Sequence, residues 1–182
     1  EMVAQLCQRD IQANKLPATI IATTNQREAI QDADYIICTI RQGGLEAFQL
    51  DIEIPLKYGI DQCVGDTLCA GGIMYAQRTI PVLLNICKDI REVANPNALF
   101  LNYANPMAMN VWACNKYGGV RTIGLCHGIQ HGHSQIADVI DLWAKANGHI
   151  GDDETITKED VDIICAGINH QTWYTQIKWR GQ

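Results

Sequence analysis

Tyr35-Ile36-Ile37-Cys38-Thr39-Ile40-Arg41-Gln42-Gly43-Gly44 is the stretch on which the fold turns. Its first six residues are apolar almost throughout, as a strand covered on both faces should be, and the polar, glycine-bearing loop after it has the composition of a turn into a helix. Two segments downstream repeat the pattern. Ala98 to Tyr103 is a second buried strand closed by Asn105-Pro106, and Thr122 to Cys126 a third, followed by His127-Gly128.

Helical periodicity fills the intervals. It runs over roughly 46–58, carrying Pro55 and ending at Gly59, and over about 73–93, where a bend near Pro81 is expected. Met107–Lys116 is helical and stops at Gly118-Gly119, and Ser134–Ala146 is helical and ends at Gly148. Upstream, residues 2–15 form an amphipathic helix before Pro17. Ala18 to Ala22 is a short β-branched run read as another strand, and Asn25 with Glu28 is a capping-box start to a helix over Arg27–Asp32. From Val161 to Trp179 the pattern is β-rich without a helix. Alternating β and α segments predict a parallel α/β sheet, and the tail a small antiparallel addition to it. Gly151–Asp160, the most acidic stretch, reads as an exposed connection.

The chain has 182 residues, 47% of them apolar and 19% charged. This is about one domain at roughly 100–200 residues per domain, long enough for a true core. Fourteen Lys plus Arg against twenty Asp plus Glu give a net charge of −6. With no Lys/Arg-rich run, neither nucleic acid nor a membrane surface is expected as a partner. No apolar stretch approaches the ~18 residues of a membrane span. Glu1 opens directly in a helix-like pattern, so no signal peptide is expected. The eight cysteines are scattered and form no C-x-x-C pair. Most are read as small buried hydrophobes in a reducing compartment, which makes the protein cytoplasmic.

Ligands of open parallel sheets gather at the carboxyl ends of the strands. Three such ends are rich in polar residues or glycine: Arg41-Gln42-Gly43-Gly44, Asn102-Tyr103-Ala104-Asn105-Pro106 and Cys126-His127-Gly128. Any one could be ordinary turn chemistry; three in register suggest a binding edge. Cys126, His127, His131, His133 and Asn169-His170 form a metal-flavoured set. Cys126 and His170 are the favoured pair, because each sits at a kink in an apolar β segment and thiolate plus imidazole suits a borderline divalent cation. His133 and His149 read as satisfied or exposed histidines. Asp66-Thr67 precedes Gly71-Gly72, glycines that would open a helix bearing Arg78. They could leave N–H groups free for an anionic or hydroxyl-rich ligand or serve only as a permissive helix start.

The strings DTLCAGGIMYAQRTIP (66–81), NYANPMAMN (102–110), IGLCHG (123–128) and CAGINH (165–170) resemble glycoside hydrolase family 4, and within it the α-galactosidase branch. The resemblance runs through essentially the whole chain, with the motifs in the same order. It implies a partial Rossmann-like doubly wound parallel sheet over 1–127 and the start of a β-rich substrate domain over 128–182. It also implies a redox route, unlike two-carboxylate glycosidases. NAD takes a hydride from C3 of the sugar, a base removes the acidified C2 proton, and the aglycone leaves by elimination before water and hydride return. A divalent cation, usually manganese, holds the C2 and C3 oxygens as a Lewis acid.

Carried over by position, Cys126 and His170 match the metal ligands, Asn105 a sugar contact with Arg78 beside it, and Arg41, Gly43, Gly44 and Asn102 the surroundings of the nicotinamide. Asp66 and His127 are the catalytic candidates, Asp66 for polar contact or proton transfer. His127 stands where the phospho-glycosidase branch tends to carry Asn or Asp, which favours a non-phosphorylated α-galactoside or related uronide. Cys69 replaces a glycine common in its loop.

The Gly-rich dinucleotide turn, the acidic end of the second strand and the catalytic Tyr do not appear in these residues. With sheet order 3-2-1-4-5-6, the strands present would be 3, 4, 5 and 6, leaving a gap in the middle of the sheet. The chain is therefore expected to be an internal fragment that binds NAD poorly by itself and whose full-length protein is a homo-oligomer. Two alternatives remain at this point: an NAD-dependent dehydrogenase of the lactate/malate type, and a catalytically silent binding or assembly module.

Overall fold

The computed structural model describes residues 2–62 and 64–182, so Glu1 and Cys63 lie outside the description. Its elements are α1 (Met2–Asn14), α2 (Gln26–Ile30), β1 (Tyr35–Cys38), α3 (Gly44–Leu56), α4 (Cys69–Val93), β2 (Leu99–Asn102), α5 (Met107–Ala113), β3 (Thr122–Gly124), α6 (Gly128–Ala146), β4 (Val161–Ile168) and β5 (Gln171–Trp179). β1, β2 and β3 form one parallel sheet in that order, with Ile36 opposite Phe100 and Phe100 opposite Thr122. β4 and β5 form an antiparallel hairpin. The α/β class and the parallel sheet are as the sequence implied.

Side chains alternate across a strand, and the register sorts them. Cys38, Phe100, Asn102 and Thr122 share one face and are buried, whereas Tyr35, Ile37 and Ile123 share the other and are exposed. Leu83, Ile86, Cys87 and Ile90 of α4 cover the buried face together with Phe100, Cys38 and Cys114. Leu83 and Phe100 are completely removed from solvent. Coverage of β1 on both faces, expected from its apolar run, is therefore not what the described residues give. The thiols at 38, 87 and 114 do behave as small hydrophobes, and burial pushes the Cys38 thiol above its ordinary pKa. Cys69 and Cys126 instead lie exposed.

Ala18 to Ala22 is the principal miss. It forms no strand, and Ile21 is largely exposed to solvent. β-branched residues favour a strand only where a paired backbone and a packed face reward them, and this run has neither. The expected gap goes with it, because β1, β2 and β3 are contiguous. Helix starts also shift. α4 begins at Cys69 and contains both Gly71 and Gly72, and α6 begins at Gly128 rather than Ser134. Poor intrinsic propensity in the Gly-Ile-Gln-His-Gly-His run is overridden there by the position immediately after a strand. The capping box at α2 is a relay: Asn25 accepts from the Arg27 and Glu28 amides, while the Glu28 carboxylate accepts from the Thr23 hydroxyl at 2.7 Å.

A second apolar cluster joins Ala137 and Ala144 of α6 to Ile150, Ile156 and Val161, with Ile163 and Trp179 packed against it. His133 Nε2 lies 2.6 Å from the Val161 carbonyl, and His149 stacks on Trp143 with ring centroids 4.7 Å apart. Both are structural, as read from the sequence. The acidic connection 151–160 is mostly exposed, but Ile156 is drawn into this cluster. Among the described residues no helix is long and apolar enough to cross a membrane.

Phe100 sits at the centre of the sheet with its ring wholly enclosed, so Phe100→Ala should lower unfolding stability by about 3–5 kcal/mol, as read by urea denaturation. A loss under about 1 kcal/mol would mean that the sheet and α4 do not pack as described.

Candidate functional site

The ladder continues past each strand end. The Tyr103 amide donates to the Cys38 carbonyl and the Leu125 amide to the Asn102 carbonyl, both at 2.9 Å. These bonds fix the three loops in register, so that residues after β1, β2 and β3 meet at one edge. Arg41 leaves β1 and lays its guanidinium against two rings, 4.5 Å from the Phe48 centroid and 5.2 Å from that of Tyr75. Such contacts contribute about 0.5–1 kcal/mol each at partly exposed sites. Its Nη2 donates to Asp66 Oδ2 at 3.1 Å, and Asn105 Nδ2, from the loop after β2, donates to the same oxygen at 3.2 Å. Oδ1 of Asp66 accepts from the Thr67 hydroxyl at 3.1 Å, and Thr67 Oγ1 lies 2.9 Å from His170 Nδ1. Asp66 thus joins two strand ends to the tip of the β4–β5 hairpin, 103 residues away along the chain from Thr67. A carboxylate held by three donors is suited to fixing loops, which argues against the proton transfer considered for it.

His170 reaches this place through the hairpin turn. Ile168 pairs with Gln171, leaving Asn169-His170 as the connection, and His170 adopts φ +60°. The kink read from the sequence is this turn. Cys126 stands two residues past the end of β3, its sulfur accepting the Gly128 amide at 3.4 Å. Cys126 and His170 line one cavity of about 480 Å³, together with Asn169, His131, Gln135, Thr172 and Tyr174. Two residues 44 positions apart in the sequence therefore share a wall. Asn169 Oδ1 is buried there without a hydrogen-bond partner. His127 caps α6 and is exposed, 4.5 Å from the His131 ring and 6.5 Å from that of Tyr103. Among the described residues no group of three or more His, Cys, Asp or Glu side chains is arranged to hold a metal, so Cys126 and His170 have no third such side chain grouped with them.

Other candidates occupy different positions from those expected. Asn102 is fully buried and donates to the Ala104 carbonyl at 2.8 Å, so it shapes the loop and has no surface with which to touch a cofactor. Arg78 grips Asp51 with both terminal nitrogens, at 3.1 and 2.6 Å, and its Nε donates to the Gln42 carbonyl. The Asp51 carboxylate raises the Arg78 pKa further, and the guanidinium acts as a brace between α3, α4 and the loop after β1. That geometry places Arg78 under the site instead of facing a sugar. Gly43 has φ +88°, and a Cβ there would lie 2.6 Å from the Ala47 Cβ and 2.8 Å from Arg78 Nε, so the turn requires glycine. Gly44 follows as the first residue of α3.

Gly71 and Gly72 are not an open cradle of amides. The Gly71 amide donates to Gln62 Oε1 at 2.8 Å, that of Gly72 to the Leu68 carbonyl, and a Cβ on Gly72 would stand 2.6 Å from the Thr67 backbone carbon. These glycines let α4 press against the loop carrying Asp66. Tyr174 escaped the sequence reading, and Thr67 and Asn169 entered it only as the neighbours of Asp66 and His170. The Asn-His step between two β runs was the available signal for the hairpin tip.

The chain matches the model of the Family 4 glycosyl hydrolases over residues 1–142. It is 55% identical over 181 residues to an α-galactosidase of Rhizobium meliloti (strain 1021), covering 100% of the chain and 34% of that protein. It is 39% identical over 182 residues to an α-galactosidase of Bacillus subtilis (strain 168), covering 98% and 38%. Among solved structures, a 6-phospho-α-glucosidase from gut microorganisms in complex with NAD and Mn2+ superimposes with a TM-score of 0.79 at 25% identity, over 99% of the chain and 38% of its own. The chain therefore spans little more than a third of the length of these relatives.

The Arg78–Asp51 brace carries a separate expectation. Asp51 is 6% and Arg78 28% exposed, so Asp51→Ala should destabilise the protein by about 3 kcal/mol, the lower end for breaking a buried pair, as measured by thermal or urea unfolding. An effect within about 0.5 kcal/mol of zero would make the brace a surface pair.

Proposed function

The chain belongs to family 4 of the glycosyl hydrolases, and from that membership we propose that the protein carrying it hydrolyses α-galactosides with NAD and a divalent cation, manganese foremost. The carrying observation is the cavity wall shared by Cys126 and His170 at the carboxyl ends of the strands. The residues fit a cation there on chemical grounds. An exposed sulfur and an imidazole are donors for a borderline divalent metal, and two protein ligands leave coordination positions for substrate oxygens. The unpartnered Asn169 oxygen beside them adds an acceptor that a cation or a sugar hydroxyl could satisfy.

When bound, NAD would supply a hydride acceptor for C3 and the cation a Lewis acid for the C2 and C3 oxygens. The chain's own residues supply position. Cys126 and His170 hold the cation, and Asn105, fixed by Asp66, presents its amide to the sugar. Arg41, Gly43 and Gly44 shape the loop beside the nicotinamide. Asp66 organises these loops and carries no proton in this reading. His127 selects the unphosphorylated sugar, a reading supported by its exposure next to Cys126 and by the two α-galactosidases above. Residues 1–127 belong to the NAD-binding domain and 128–182 open the substrate domain, a division supported by the two separate apolar clusters. The lactate/malate dehydrogenase alternative gives way to the family match.

Hydrolysis of nitrophenyl α-galactoside by the protein carrying this chain should require both NAD⁺ and Mn²⁺, stop with EDTA and return when Mn²⁺ is added. Cys126→Ser should reduce it at least 100-fold, on the scale of removing a group on which the chemical step depends. Deuterium from D₂O should enter C2 of the galactose. Activity persisting at wild-type level in EDTA or in Cys126→Ser would overturn the assignment.

A further inference from the structure

We propose that Thr67 is a positioning residue for His170, fixing the tautomer and direction of its ring so that Nε2 is the nitrogen offered to a cation. The proposal rests on the Cys126–His170 reading given above and goes one step deeper. It follows from counting protons. A threonine hydroxyl has one proton and two lone pairs. Thr67 Oγ1 lies between two neighbours, Asp66 Oδ1 at 3.1 Å and His170 Nδ1 at 2.9 Å. A carboxylate can only accept, so the hydroxyl proton goes to Asp66. Oγ1 is then an acceptor toward the imidazole, and His170 must place its proton on Nδ1. The lone pair of the neutral ring is left on Nε2.

The relay is anchored at its far end. Asp66 Oδ2 accepts from Arg41 and Asn105, so the carboxylate cannot turn away from Thr67 without breaking two further bonds. Thr67 and Asp66 are both buried, whereas His170 is exposed at a hairpin tip. An exposed imidazole would otherwise sample both tautomers and several rotamers, and each ordering event lost to solvent weakens a ligand. An oxygen that accepts the non-ligating N–H is the usual device for preventing this, and its removal costs on the order of 10–100-fold in metal affinity. The bond also joins the loop carrying Asp66 to the β4–β5 hairpin, so one hydroxyl couples the strand ends to the hairpin on which His170 stands.

The test is Mn²⁺ affinity of the protein carrying this chain, without substrate, by titration calorimetry or by the electron paramagnetic resonance of free Mn²⁺. Thr67→Val keeps the shape and removes the hydroxyl, and should weaken Mn²⁺ on the order of 10-fold or more. Thr67→Ser should restore near wild-type affinity, and Cys126→Ser should abolish binding. Added to His170→Gln, Thr67→Val should produce no further loss, because it acts through that ring. Where Thr67→Val does not fold, Asp66→Asn, which can donate to Thr67 and so reverse the relay, is expected to weaken Mn²⁺ likewise. Wild-type affinity in Thr67→Val or, in its place, Asp66→Asn, with binding lost in Cys126→Ser, would overturn the relay and leave the metal pair standing. Wild-type affinity in Cys126→Ser would overturn the pair itself and the relay with it.

Discussion

One carboxylate organises the carboxyl edge of the sheet. Asp66 accepts from Arg41 after β1, from Asn105 after β2 and from Thr67, which in turn meets His170 on the hairpin. Loops have no regular hydrogen-bond pattern to fix them, so a functional arrangement built from three of them needs an acceptor with several lone pairs at their meeting point. A carboxylate is the side chain that offers most. Because Asp66 and Thr67 are buried, these bonds lie largely out of competition with water, where an unmade one would be costly. The rest of the edge depends on this knot, because Arg41, Asn105 and His170 are each otherwise exposed or half-exposed side chains on irregular backbone.

The layers beneath serve the same end. α4 presses against the Asp66 loop only because Gly72 has no Cβ to meet the Thr67 backbone. Asp51 and Arg78 lock α3 to α4 just behind the turn at Gly43. Arg41 lies on Phe48 from α3 and Tyr75 from α4 before it reaches Asp66. Sheet packing, the helix brace and the loop knot are therefore mechanically in series, and a change in any of them reaches the side chains at the carboxyl edge of the sheet.

What the sequence made legible follows this hierarchy. The three sheet strands were readable because an unbroken apolar run ended by polar or glycine residues has few other solutions, and the meeting of their loops at one edge was readable because parallel topology puts the carboxyl ends of the strands together. Cys126 and His170 were nominated from resemblance and chemical type, and the cavity that both of them line gives that nomination a place in space. Ala18–Ala22 misled because strand propensity has no meaning without a partner strand. Arg78 and Asn102 misled because polarity in a motif does not say which way a side chain points, and both turn inward. The role of Thr67 was invisible, although the residue was named beside Asp66, because it lies in one proton and two neighbours, and the second of these, His170, is 103 residues away.

That distance has a consequence for how the site can be built. Cys126 lies in the loop after the sheet strand β3 and His170 in the hairpin turn, and the apolar clusters of the two units are separate. Two side chains on separately packed supports share a cavity wall only if something fixes one support against the other close to them, since a small rotation of a hairpin is amplified at its tip. The apolar contact between α6 and β4 lies at the far, Val161 end of the hairpin, whereas the turn that carries His170 is at the other. Near that tip stand two polar tethers: Thr67 to His170 at 2.9 Å and the Tyr174 hydroxyl donating to the Ile129 carbonyl at 3.1 Å. Directional bonds suit this place better than apolar packing does, because they constrain angle as well as distance. An imidazole and a sulfur that line one cavity from two packing units are held in place more sharply by a few aimed hydrogen bonds at the tip than by more buried area at the base.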